Sequence, residues 1–169
     1  MSLNKRKIKN KETAMTKEEY FNQKSKYYYD MFLQNKYVRK VSTILKCGNK
    51  FLVLVKNGEK AFLAGGSVEP NETTKDGAKR ETKEEMGIDV DNLRYLTKVY
   101  YSVKWKYNNI EFDNKRIEFY YLSEIDNAKG KVQGLEGEFD NDVQLQLCTI
   151  KELEKLNLNK KELEIIKNI

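Results

Sequence analysis

Three glutamates, Glu81, Glu84 and Glu85, stand between Arg80 and Gly87 in the stretch "AKRETKEEMG". If residues 73–86 form one helix, spacings of three and four residues put all three carboxylates on one face. Like charges so placed repel by about a few tenths of a kcal/mol per exposed pair, and by more where the face is enclosed. Arg80, four residues before Glu84, can neutralise one of them. A hard divalent cation would satisfy the others, since Mg²⁺ uses few carboxylates and completes its shell with water and substrate phosphate. Zinc is a poor fit: the chain has no histidine, and Cys47 and Cys148 lack metal-ligand spacing. A solvated charged face is the reading that the triplet by itself leaves open.

The helix that must carry these groups has its own punctuation. Thr73 is a natural N-cap, Asp76 at the N3 position completes a start resembling a capping box and suits the positive end of the dipole, and Gly87 supplies the stop. Ala78, Thr82 and Met86 give it a small or apolar opposite face suited to a sheet. Around it the period is that of strands: "YVRKVSTILKC" and "KFLVLVKN" flank the hairpin signal Gly48-Asn49, and "AFLAGG" reads as a third short strand. Downstream, "NLRYLTKVYYSVKWKY" and "RIEFYYLSEI" read as long strands joined through "NNIEFDN". An acidic and glycine-rich loop spans 126–142, "VQLQLCTI" reads as a last strand, and "KELEKL" and "KKELEIIKNI" as two closing helices. Without regular strand–helix alternation, this order predicts an α/β sandwich around a mixed sheet.

Charge is unevenly spread. Residues 1–40 hold eleven lysines and arginines against four acids, whereas the whole chain has a net charge of +6, so the remainder is close to neutral. Eight of those eleven bases and all four acids fall in a basic N-terminal extension, residues 1–35, polar to about residue 15 and then helical. Thr16 and Glu19 fit a capping box there, and Tyr20, Phe21, Tyr27, Tyr28, Met31 and Phe32 form an aromatic stripe. That stripe is expected to dock on the body, with base stacking as the alternative. Two cysteines are too few for a disulfide framework, no apolar run is long enough to span a bilayer, and no export signal opens the chain, so a cytoplasmic protein with no membrane partner is expected.

The full spacing around the glutamates narrows the chemistry. Gly66, Glu72, Arg80-Glu81, Glu84-Glu85 and Gly87, with Thr82 and Ile88 at the aliphatic positions, resemble the Nudix box, whose seven fixed identities are all present. At ordinary residue frequencies such a coincidence has a probability of about 10⁻⁸ per starting position. Two positions depart from the family pattern: Thr82 replaces an aliphatic residue, and Ala64 stands where a proline commonly precedes the Gly-Gly pair. The resemblance extends over roughly residues 36–157, within a domain taken as 36–169.

That resemblance implies a Nudix-type α/β/α sandwich and hydrolysis of a nucleoside diphosphate linked to another moiety, with Mg²⁺ or Mn²⁺ as cofactor. Carried over, Glu81 and Glu85 would be the main metal ligands, with Glu84 in or beside the shell and Gly65 offering its carbonyl. Arg80 would orient Glu84, Glu72 would steady the loop–helix junction, and Gly66 and Gly87 would be structural. The general base would be a box glutamate or an acid of "GLEGEFDND", with Glu138 favoured over Glu136, Asp140 and Asp142. Tyr37, Arg39 and Trp105 are candidates for holding base and phosphates, core packing being the competing role for the aromatics. No proline follows Pro70, which removes the post-box markers of some substrate classes and leaves a nucleoside triphosphate or similar small nucleotide as the default. An RNA 5′-end pyrophosphohydrolase whose basic extension grips the 5′ end of a transcript and a non-catalytic nucleotide-binding regulator are the alternatives. Monomer and homodimer are both compatible with the sequence.

Overall fold

The computed structural model describes residues 15–126 and 142–169. Its elements run α1 (Lys17–Leu33), β1 (Val38–Cys47), β2 (Lys50–Lys56), β3 (Lys60–Phe62), β4 (Ala64–Ser67), α2 (Thr74–Met86), β5 (Arg94–Tyr107), β6 (Ile110–Glu124), β7 (Val143–Cys148), α3 (Ile150–Lys155) and α4 (Lys160–Lys167). The strands form one seven-stranded sheet with the backbone order β3-β2-β1-β6-β5, to which β4 adds on β1 and β7 on β2. β1 and β6 run parallel and the other pairs antiparallel, so the sheet is mixed.

Alternation along the strands sends side chains to two cores. Val41, Leu45, Leu52, Leu54 and Tyr121 meet Ala78 and Met86 of α2 on one face. Ile44, Val53, Val55, Tyr120 and Leu122 meet Leu153 and Ile166 of the C-terminal helices, and Leu158 between them, on the other. That is the α/β/α sandwich, the period of 2 in the strands feeding both layers. α1 covers the far end of the second face, where Tyr28 packs with Val38 and Phe112. Its start is a complete capping box, with Thr16 accepting from the Glu19 amide and Glu19 from the Thr16 amide.

The structure corrects the sequence reading in three places. "NNIEFDN" is not a linker: Asn108 and Asn109, at φ of 48° and 62°, make a tight turn, and Ile110–Asn114 continue as β6. Asparagine tolerates the left-handed region, which lets a short turn join two long strands. "AFLAGG" is two strands, because β3 pairs with β2 while β4 crosses to pair with β1. The helix start at Thr73 is capped from one side only, by the Asp76 amide donating to Thr73 Oγ1 at 3.1 Å. Among the described residues no helix is long and apolar enough to cross a membrane.

Candidate active site

β4 and α2 build the site between them. Gly65 and Gly66 lie against β1, paired with Ser42 and Val41, and a side chain at either would collide. A Cβ on Gly65 would sit 2.3 Å from the Val41 carbonyl oxygen, and one on Gly66 would sit 2.4 Å from Glu81 Oε1. The glycines are therefore required for close approach, and the space beside Gly66 belongs to the Glu81 carboxylate. α2 ends where Gly87 adopts a left-handed conformation and returns its amide to Lys83. Thr82, fully buried against the sheet, donates its hydroxyl to the Ala78 carbonyl at 2.7 Å, so the departure from an aliphatic residue leaves no orphaned group.

The carboxylates are drawn deep. Glu81 is 1% and Glu85 5% exposed, depths at which acidic side chains survive only with partners. Gly65 donates its amide to Glu85 Oε2 at 3.4 Å. Arg80 reaches Glu81 Oε1 with Nη1 at 2.9 Å and Glu84 Oε2 with the same nitrogen at 3.4 Å. Its Nε and Nη2 form a fork on Glu72, 2.8 and 2.9 Å, and Nη2 also donates to the Ser67 carbonyl at 2.9 Å. Arg80 is thus held more closely by Glu72 and Glu81 than by Glu84, and its five-donor geometry explains why lysine would not substitute. Burial works against the Arg80 charge, but hydrogen bonds and proximity to Glu72 and Glu81 outweigh it and hold its pKa above the usual range.

Glu72 sits over Gly77, where a Cβ would come 2.9 Å from its Oε1, and accepts from the Glu69 amide at 3.1 Å. Burial raises its pKa, yet the Arg80 fork and the Glu69 amide outweigh that and keep the carboxyl below its ordinary value. Among the described residues no three acidic, histidine or cysteine side chains are gathered closely enough to hold a metal ion as they stand. Glu81 Oε1 is turned to Arg80 and Glu85 Oε2 to Gly65. The donor set is nonetheless that of a hard cation: carboxylate oxygens on adjacent turns and a backbone carbonyl nearby, with no soft ligand.

The remaining sequence candidates disperse. Arg39 clamps the loop between β4 and α2, donating to the Glu69 and Glu72 carbonyls at 3.0 and 3.3 Å. Trp105 is engaged with α1, donating Nε1–H to Ser25 Oγ at 3.0 Å and stacking on Phe21. Tyr37 is exposed and packs edge-on against Tyr100. Glu136, Glu138 and Asp140 lie outside the described residues. Asp142 precedes β7, its carbonyl accepting from the Asn57 amide.

A polar band that the sequence reading missed runs along the sheet face opposite α2, between α1 and α4. Lys40 and Ser42 of β1 and Arg116 and Glu118 of β6 share this face. Glu118 accepts from Ser42 Oγ at 2.5 Å and from Tyr101 Oη at 2.8 Å. Burial first, and then the Glu118 charge, push the Glu162 carboxyl of α4 up to about 7 and the Tyr101 phenol above its usual range. Ser67 joins the two sides of β4: its carbonyl accepts from Arg80 and its hydroxyl from Lys40 Nζ at 3.1 Å. The available signal was the alternation of "RIEFYYL", which sends Arg116, Glu118 and Tyr120 inward together.

With that geometry in view, the NUDIX domain model matches residues 36–169. No curated protein matches the chain. Among solved structures, a MutT NUDIX hydrolase from Burkholderia pseudomallei superposes at a TM-score of 0.59 with 16% identity, covering 79% of this chain and 98% of that one. The NUDIX domain of NrtR from Shewanella oneidensis, complexed with ADP ribose, gives 0.60 and 15%, covering 90% and 96%. A MutT protein from Bacillus halodurans gives 0.54 and 21%, covering 77% and 80%. At these identities the superpositions speak to the fold.

Proposed function

The chain belongs to the Nudix family of hydrolases, and from that premise we propose that it hydrolyses a nucleoside triphosphate or a related small nucleotide in a Mg²⁺- or Mn²⁺-dependent reaction. One observation carries this: two buried carboxylates, Glu81 and Glu85, on successive turns of α2, lie against the Gly65-Gly66 backbone. Glu81, Glu85, Glu84 and the Gly65 carbonyl would hold the ion. When bound, the cation neutralises the diphosphate and lowers the pKa of an attacking water.

The chain's own groups do the positioning. Arg80, locked by Glu72 and the Ser67 carbonyl, fixes the Glu81 rotamer and keeps buried negative charge tolerable before substrate arrives. Arg39 and the Glu72 side chain brace the loop that carries the chain from β4 into α2. The nucleoside portion is accommodated along the polar band of Lys40, Ser42, Tyr101 and Glu118, which the Ser67 hydroxyl links to the acidic side. The base that activates water is a helix glutamate or one of the acids between residues 136 and 142, with Glu138 in first place.

A panel of nucleoside triphosphates and diphosphate-linked nucleotides, assayed with Mg²⁺ and with Mn²⁺ for release of phosphate, pyrophosphate or nucleoside monophosphate, tests the reading. Turnover is expected only with metal, and Glu85→Gln is expected to reduce kcat by at least about a hundredfold, beyond the usual cost of losing a supporting residue. Nucleotide binding with no turnover in the wild-type protein would replace the enzyme by a binding regulator.

A further inference from the structure

At the α1 end of the polar band, two buried polar atoms lack partners. Tyr28 is 1% exposed and its hydroxyl, beside the Ser67 side chain, makes no hydrogen bond of full geometry; Asn114 is fully buried and its Nδ2 amide has no hydrogen-bond partner in the protein. The Asn114 orientation is set by its other end, since Oδ1 accepts from Arg116 Nε at 2.7 Å. Buried donors without well-placed acceptors are rare in folded proteins, and two in one neighbourhood call for acceptor oxygens from outside the chain, whether of water or of a ligand.

Cations surround them. The Arg116 guanidinium lies 4.9 Å from the Tyr28 ring centre and 5.6 Å from that of Trp105, and Lys24 Nζ of α1 lies 5.9 Å from the Tyr28 ring. Burial pushes the Tyr28 phenol up, but Lys40, Lys24 and Arg116, joined by the Ser67 side chain, bring it below its usual value. Among the described residues no carboxylate forms an ion pair with Lys24 or Arg116; Glu118, two places along β6, turns its oxygens to Ser42 and Tyr101. Lys24, Lys40 and Arg116 are half-buried, so the cluster opens to solvent on one side.

We infer that Tyr28, Lys24, Lys40, Asn114 and Arg116 form a phosphate-binding pocket, completed by the N-terminal helix on the family domain. Three cations and two neutral donors approaching from α1, β1 and β6 suit a tetrahedral dianion with several acceptor oxygens better than a planar carboxylate. Lys40 hydrogen-bonds the Ser67 hydroxyl next to Gly65-Gly66, so an anion here would neighbour the diphosphate of the proposed substrate. Only that last placement rests on the hydrolase reading; the pocket itself needs no metal.

The test is calorimetric titration of the full chain with inorganic phosphate in EDTA. Arg116→Gln is expected to weaken phosphate binding about tenfold or more, as for loss of a charge-assisted bond, and Tyr28→Phe by about three- to tenfold. Tyr28→Phe should melt no lower than wild type, because it deletes an orphaned buried hydroxyl without opening a cavity. Lys104→Gln, at an exposed β5 position paired with Asp113, should bind as wild type does. No phosphate binding by the wild-type chain, or equal affinity across wild type, Arg116→Gln and Tyr28→Phe, would overturn the pocket. Because metal is withheld, that failure is separate from a failure of Mg²⁺-dependent turnover.

Discussion

Two groups of glutamates occupy opposite faces of one sheet and behave differently. On the α2 side, Glu72 and Glu81 share a single guanidinium and Glu72 also accepts a backbone amide, so positive partners dominate and the Glu72 carboxyl is held below its ordinary pKa. On the other side, Glu118 is held by two hydroxyls, and Glu162 approaches it without a cation strong enough to outweigh burial, so its carboxyl retains a proton up to about 7. The same residue type therefore gives a carboxyl that holds its charge further into acid on one face, Glu72, and one that takes up a proton nearer neutrality on the other, Glu162. The difference comes from whether fixed donors or a second acid stand nearby.

Breaking the first group should have the largest effect. Arg80→Ala leaves Glu72 and Glu81 without their shared cation and is expected to cost about 3 kcal/mol in EDTA, measured by urea unfolding. The acid limb should change with it. Glu72, with a depressed folded pKa, contributes stability that is present above its unfolded pKa and lost as pH falls through the folded one. In Arg80→Ala that fall should flatten; an unchanged acid limb would show that the arginine does not control the site's ionisation.

The second group sharpens the contrast with the opposite sign. Because the Glu162 pKa is raised, the folded state binds its proton more tightly, and the stability it contributes is fully present below about 4.5 and lost as pH rises toward about 7. Glu162→Gln should therefore gain stability at pH 8 relative to wild type, by at most about 3 kcal/mol for a half-buried group, with the two proteins converging near pH 4. A smaller effect is expected from Tyr101→Phe, which removes one donor to Glu118 and should cost about 1 kcal/mol by thermal unfolding. If Tyr101→Phe matched Arg80→Ala, the hydroxyl-lined face would be as strongly coupled as the ionic one.

Legibility varied by residue. Thr73, Gly87 and the three- and four-residue spacings gave the α2 helix and its acidic face, since caps and periodicity are local. Asn108-Asn109 signals a turn less sharply than Asn-Gly does, and "AFLAGG" hides a change of partner that no local pattern reports. Arg39 and Trp105 have suitable chemistry for a ligand, but distant contacts, the Glu69 and Glu72 carbonyls for one and α1 for the other, engage them in the fold.

What the sequence determined by itself was the chemistry that spacing along one helix can encode: which carboxylates share a face, which glycines precede them, and hence the family. Only the tertiary structure decided that Arg80 answers chiefly to Glu72 and Glu81, that Glu118 comes near enough to Glu162 to raise its pKa, and that α1 brings Tyr28 to Arg116. Apart from the adjacent Arg80 and Glu81, those pairings join residues 8, 44 and 88 positions apart, and electrostatic and hydrogen-bond energies depend on distance in space, which periodicity along the chain does not specify.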